Sequence, residues 1–253
     1  MITIKNKASL AKMGKAGFLL QEVFEKLASF IKAGISTQEI DDRIAQLLQE
    51  RKLVSKTLGY RGYKHVSCVS INDEVVHGVP SATKIVKDGD LVKVDICASN
   101  EGYCADMARI YFIGNPSAKA KKLAEVAQRA LQKGIEKARA GNKLTDISAA
   151  IQEEVEKNGF GVVRDFAGHG IGKRMHEDPE ILNYGQPGKG PLLQAGMTFA
   201  IEPMITEGGY HVYVADDGWT VRTKDKSLAA HVEDTIAITQ GDPIVLTRSN
   251  GKG

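Results

Sequence analysis

Gly89-Asp90-Leu91-Val92-Lys93-Val94-Asp95 and Gly196-Met197-Thr198-Phe199-Ala200-Ile201-Glu202 are one pattern written twice. Each opens on a glycine, runs on as a strand rich in apolar residues, and closes on a carboxylate. The copies lie 107 residues apart (196 minus 89), and the same offset aligns other positions. Ala33-Gly34 meets Ala140-Gly141, Ile40 and Ile44 meet Ile147 and Ile151, and Gly78-x-Pro80 meets Gly185-x-Pro187. Gly, Pro and Ile are common, so coincidence is the competing explanation. A shared register without a gap favours an internal duplication, roughly residues 1–114 and 115–248 of a single 253-residue domain. Two copies of one helix-then-strand unit can pack about a pseudo-twofold axis. Their matching acids would then converge, and crowded carboxylates repel unless protonated or neutralised by cations. The pattern predicts a nest of acids that calls for metal.

Composition sets wider bounds. A chain of 253 residues can bury a full core. No apolar run approaches the roughly 20 residues that span a bilayer, and the N-terminus lacks a signal peptide's apolar centre. Cys68, Cys97 and Cys104 are odd in number and lack zinc-knuckle spacing, which fits a reduced, cytoplasmic chain. A net charge of +3 demands no polyanionic partner, so neither DNA nor a membrane is expected.

Outward from the two strands, the pattern is α+β. Leu10, Met13, Phe18, Leu20, Val23, Phe24, Leu27, Phe30 and Ile31 give residues 7–32 helical periodicity. Ser36 or Thr37 can cap a second helix running to about Lys52. Strands are expected at 65–71, 91–98 and 103–113, the last two joined by a tight turn at Asn100-Glu101-Gly102. Helices follow over 118–139, behind Pro116-Ser117, and from a Thr145 cap to about Gly159. A second strand set is expected at 161–166, 197–206, 210–214, 219–223 and 231–239, and a disordered tail at 249–253.

Asp95 and Asp106 fall on the two hairpin strands and can share a face. Glu202 sits in Phe-Ala-Ile-Glu-Pro-Met, and Glu233 lies between Ala229-Ala230-His231-Val232 and Thr235-Ile236-Ala237-Ile238. An acid among oily neighbours is costly to bury unless paired or coordinated. Any one of them alone reads as a salt bridge or a strand end; four together do not. His169 stands in Gly168-His169-Gly170-Ile171-Gly172, where the glycines would let the backbone approach a ligand. One nitrogen and many oxygens suit Mn²⁺, Fe²⁺, Co²⁺ or Zn²⁺. Four carboxylates balance two divalent ions, the arrangement of sites with metals about 3.5–4 Å apart.

Asp95, Asp106, His169, Glu202 and Glu233 resemble the five-ligand set of the pita-bread (creatinase/aminopeptidase) metallopeptidases. More narrowly, four stretches resemble the type I methionine aminopeptidases: Ser70-Ile71-Asn72-Asp73-Glu74-Val75-Val76-His77-Gly78-Val79-Pro80, the glycine-framed His169, Met197 to Pro203, and Asp217-Gly218-Trp219-Thr220 with Thr223-Lys224-Asp225. The likeness covers nearly the whole chain, and the length matches the short bacterial form. The resemblance implies a fold of two pseudo-symmetric halves, an antiparallel sheet covered by helices. It implies two divalent ions holding a water or hydroxide that attacks the carbonyl after an N-terminal methionine. In that scheme Asp95 binds one ion, Asp106 and Glu233 bridge the pair, and His169 and Glu202 complete the other. Glu202 also moves protons, His176 stabilises the oxyanion and His77 contacts the peptide nitrogen. Tyr60, Tyr63 and Trp219 match positions that line the methionine slot. Thr57 stands where many bacterial members carry Cys, Met175 where an aromatic is common, and Met107 where Thr or Ser is usual. The aromatics also read as ordinary core, and the histidines as surface residues. Cys97 and Cys104 lie two residues from ligand acids and read as packing residues.

The basic residues of 117–143, among them Lys119, Lys121, Lys122, Arg129 and Lys133, read as a solvated helix face. A weak ribosomal-RNA contact of a monomeric enzyme is the sharper alternative. Two other functions compete with methionine removal: an Xaa-Pro aminopeptidase or prolidase, and a pseudoenzyme that binds peptide or RNA.

Overall fold

The computed structural model describes residues 1–248; the expected tail at 249–253 lies outside the described residues. Helix α1 (Lys7–Phe30) starts at Asn6, whose side chain accepts the Ser9 N–H. It buries Met13, Leu20, Val23, Phe24 and Leu27 along one stripe, whereas Phe18, expected on that stripe, is exposed. Ser36 caps α2 (Thr37–Glu50) in a full capping box with Glu39. Ser117 caps α3 (Ala118–Lys137) by accepting the Ala120 N–H at 3.1 Å. The last helix, α4 (Leu144–Glu156), corrects the expected Thr145 cap: Lys143 holds the cap position and its N–H donates to Asp146 at 2.8 Å. Thr145 lies inside the first turn, where its hydroxyl donates to Lys189 O and accepts the Lys189 N–H. A distant loop claims the group that local sequence assigned to the helix end.

Both helix pairs are seated alike. Gly34 N–H donates to Val86 O and Gly141 N–H to Leu193 O; Thr37 N–H donates to Lys84 O and Leu144 N–H to Pro191 O. Every partner in the second half lies 107 residues after its counterpart in the first (141 minus 34, 193 minus 86, 144 minus 37, 191 minus 84). The isolated bridges Ser36–Ile85 and Lys143–Leu192 obey the same offset.

A nine-stranded sheet forms the floor of the molecule. Its strands run, side by side, Val54–Ser55, Leu91–Asn100, Tyr103–Phe112, Glu233–Ala237, Thr198–Ile201, Gly168–Gly170 and Glu177–Ile181. Cys68–Ile71 also pairs with Leu91–Asn100, and Ile244–Val245 with Glu233–Ala237. The pairings are antiparallel. Two three-stranded sheets complete the walls: Ala229–His231 with Met204–Thr206 and Gly161–Val162, and Val212–Val214 with Val221–Thr223 and Glu74–Val76. Two expected strands are each divided. The run at 197–206 breaks at Glu202-Pro203, since proline has no N–H to give a ladder. The run at 231–239 breaks at Val232, so that its halves join different sheets.

Strand alternation sorts the sheet's two faces. Val92, Val94, Ile96 and Met107 pack with Leu20, Leu27, Ile40 and Ile44 of α1 and α2. Phe199, Ile201 and Ile236 pack with Leu123, Leu131, Ile147 and Ile151 of α3 and α4. Each such side chain contributes about 1.5–3 kcal/mol when fully buried. The sheet is antiparallel and carries four helices on one face, the architecture that the resemblance implied.

Candidate metal centre and substrate cavity

Five neighbouring strands of the large sheet deliver five donors, in spatial order Asp95, Asp106, Glu233, Glu202 and His169. Register puts them on one face. Cys97 opposes Asp106, so Asp95, two residues from Cys97, shares the Asp106 side. Glu233 opposes Ala108, again two residues from Asp106. Asp234 opposes Ile201, which sets Glu202 against Glu233 one step on, and His169 opposes Ala200, two residues from Glu202. The opposite parity carries the apolar residues to the helices, so one alternation builds both core and site.

His169 Nε2 lies 3.7 Å from both Asp106 Oδ2 and Glu202 Oε1. Donor atoms of Asp106, His169 and Glu233 lie within 4.8 Å of one another, as do those of Glu202, His231 and Glu233. Burial, and then the charge of Glu202, pushes Asp106 up to about 7; burial pushes Glu202 up to about 8. Asp95 and Glu233 are driven well above the usual carboxylate range by burial and by Asp106. His169 is held down to about 3, first by burial and then by His176, and is neutral at physiological pH. Its Nδ1 donates to Gly170 O at 2.9 Å, which leaves the Nε2 lone pair toward the carboxylates. Glu233 Oε1 is buried with no hydrogen-bond partner. A neutral imidazole and buried oxygens that have mainly one another for company fit divalent cations.

The glycines beside His169 serve packing rather than a ligand. A Cβ on Gly168 would lie 2.5 Å from Ala200 O, and one on Gly170 2.0 Å from Asp178 O. Neighbouring strands, not a substrate, make the close approach that sequence assigned to a ligand. Asp106 is fixed through Thr235, whose hydroxyl accepts the Asp106 N–H and donates to Asp106 O, each at 2.8 Å. Met107 contributes its backbone N–H, at 3.1 Å from Asp106 Oδ1. Arg109 holds the Glu233 strand: Nη1 donates to Glu233 O and Nη2 to the buried Asp234, each at 2.6 Å.

Above this floor opens a cavity of about 630 Å³. Every residue assigned to the site from sequence lines it: the five donors, His77 and His176, and Thr57, Tyr60, Tyr63, Met175 and Trp219. Tyr63 is pinned by its hydroxyl to Ser67 O at 3.0 Å and packs edge-on against Trp219 at 4.9 Å. Tyr60 Oη and His176 Nδ1 share a hydrogen bond of 3.0 Å, and the His176 ring sits 4.4 Å from that of His169. His77 has a left-handed φ of 57°, uncommon outside glycine, and its ring packs on Phe166 at 5.6 Å. Cys97 and Cys104 are free and buried, and Cys97 lines the cavity beside the acids. Sequence reasoning missed His231 and Phe166. His231 is 1% exposed, with Nε2 at 3.3 Å from Glu202 Oε2. Its signal was its place two residues before Glu233. Phe166 had none, since its strand was expected to end there.

The sequence profile of metallopeptidase family M24 matches residues 11–240. The chain belongs to this family. The methionine aminopeptidase of Clostridium acetobutylicum is 46% identical over 98% of this chain and 99% of its own length. Methionine aminopeptidase 1 of Bacillus subtilis is 44% identical over 98% of this chain and all of its own length. The crystal structure of methionine aminopeptidase from Thermotoga maritima superimposes with a TM-score of 0.96 at 41% identity, covering 98% of this chain and 100% of that one. Prolidase from Pyrococcus furiosus shares the fold, with a TM-score of 0.77 at 24% identity over 98% of this chain and 66% of its own. This M24 member is a hydrolase with a donor set for divalent metal. Among its described residues no helix is long and apolar enough to cross a membrane.

Proposed function

We propose that this M24 peptidase removes the initiator methionine from nascent proteins and peptides with a small second residue, using two divalent ions, in the cytoplasm. The convergence of five donors from five adjacent strands beneath an apolar slot carries this reading. Asp95 would hold one ion, Asp106 and Glu233 would serve both, and His169 with Glu202 would complete the second. Mn, Fe, Co or Zn suits such a set. When bound, the pair supplies a water of lowered pKa and polarises the scissile carbonyl.

The remaining work falls to the chain's own groups. Glu202 takes the proton of the attacking water and returns it to the leaving amine. His231 Nε2 lies 3.3 Å from Glu202 Oε2, close to that carboxylate without a hydrogen bond to it. Tyr60 fixes His176 through Nδ1, which leaves Nε2 to stabilise the oxyanion. His77 contacts the peptide nitrogen. Tyr63 and Trp219 form a rigid wall for the methionine side chain, with Thr57 and Met175 completing the slot. The free α-amine seats at the Asp95 end, so a blocked N-terminus is refused.

A panel of peptides tests the reading. Methionine should be released from Met-Ala-Ser and not from Met-Lys peptides. Cleavage of Xaa-Pro peptides instead would make the chain a prolidase-like enzyme, and no turnover with any divalent metal would make it a binding module.

A further inference from the structure

Lys93 is among the largest fully buried side chains, 1% exposed, and lies on the same strand face as Asp95, two residues away. Its ammonium donates to Asn72 O at 2.8 Å and to Ala229 O at 2.9 Å. These carbonyls belong to two other segments. Asn72 sits in the turn before Glu74–Val76, the strand that leads to His77, and holds a left-handed φ of 53°. Ala229 opens the segment that carries His231 and Glu233, and its own N–H donates to Asn72 O at 3.0 Å. A buried ammonium is expensive, and an apolar chain of like volume is usually as stable or more so. Packing alone therefore does not account for a lysine here.

We infer that Lys93 is a positioning residue, whose ammonium ties the segments carrying Asp95, His77 and Glu233 into one arrangement. It touches no reacting atom. It acts through the carbonyls of Asn72 and Ala229, and so sets the spacing between the donor floor and the histidine that meets the substrate. The inference rests on the proposed peptidase reading for its rate readout, and stands apart from it for its metal-binding readout.

Lys93→Ala, which leaves a buried cavity facing two carbonyls, tests it with methylammonium as the probe. The variant should lose at least tenfold in kcat on Met-Ala-Ser with KM little changed. The absorption bands of its cobalt-loaded form should shift from those of the wild type. Methylammonium at tens of millimolar should restore both, and tetramethylammonium, too large for the cavity and without an N–H, should restore neither. Lys93→Met, which fills the same space without a charge, should show the loss and no rescue. A folded Lys93→Ala with wild-type kcat and spectrum would overturn the inference, and so would a loss that methylammonium does not reverse. Should Lys93→Ala not fold, its refolding yield with and without methylammonium reads the same claim, and equal yields would overturn it. If the wild type releases no methionine, the peptidase reading falls, while the cobalt spectra still decide the role of Lys93.

Discussion

Glu202 stands where two demands meet, an oxygen for metal and a base for water, in a setting that pushes it up to about 8 when no cation is present. Glu202→Gln keeps the shape and removes the base. Turnover should fall about 10²–10⁴-fold while the fold is kept, read as kcat and a thermal melt side by side; a kcat within twofold of wild type would count against the proton-shuttle role. Asp106 and Glu233 differ, because each is proposed to serve both ions. Asp106→Ala or Glu233→Ala should lose bound metal and activity together, measured by elemental analysis after dialysis. Either variant with near-normal turnover and two bound ions would contradict the assignment. At this scale sequence was most informative, since a carboxylate among Val, Ile and Ala is costly unless something compensates it. His231 offered only its place two residues before Glu233, and its nearness to Glu202 becomes visible only in the fold.

At the scale of elements, the sheet's order matters more than any strand. Gly168–Gly170 fits between Thr198–Ile201 and Glu177–Ile181 because neither of its glycines presents a Cβ to a neighbouring carbonyl. Gly170→Ala should cost about 1–3 kcal/mol by forcing these strands apart. It should also weaken metal affinity, since His169 moves with them. Urea unfolding and a metal titration check both, and an unchanged midpoint would show that the strands can yield. On α3, Lys119 pairs with Glu207, Arg129 with Glu154 and Lys133 with Glu136, which favours a solvated, internally compensated face over a surface built for RNA. Helix ends were legible wherever the cap was local, as at Ser36 and Ser117. Thr145 misled because a loop about 44 residues away takes its hydroxyl. The breaks at Glu202-Pro203 and Val232 were hidden in long apolar runs, where composition cannot tell one strand from two.

Over the whole molecule, we read residues 1–114 and 115–248 as copies of one unit, supported by hydrogen bonds that recur at the 107-residue offset. On that reading Asp95 and Glu202 hold matching places, although Asp95 lies within its strand and Glu202 one residue beyond the end of Thr198–Ile201. The merged site also governs stability. Without metal, Asp106 and Glu202 sit at about 7 and 8 against ordinary values of 3.8 and 4.5. Their raised values mean that the folded chain holds more protons than the unfolded one between about pH 4 and 8. The stability they lend is present below about pH 4 and is lost as pH rises through 7 and 8. The metal-free protein should therefore melt lower at pH 8 than at pH 5.5, and saturating metal should remove the deficit; a melting point that rises over this range would contradict the crowding of acids.

On this reading the crowded acids exist to hold a pair of cations. Chelator-stripped protein titrated with Mn²⁺ or Co²⁺ tests it most directly, with binding followed by calorimetry and methionine release from Met-Ala-Ser assayed in parallel. The stripped protein should show no turnover, two ions per chain should bind at saturation, and activity should appear as they bind. Full turnover without metal, or a chain that binds one ion or none, would contradict it.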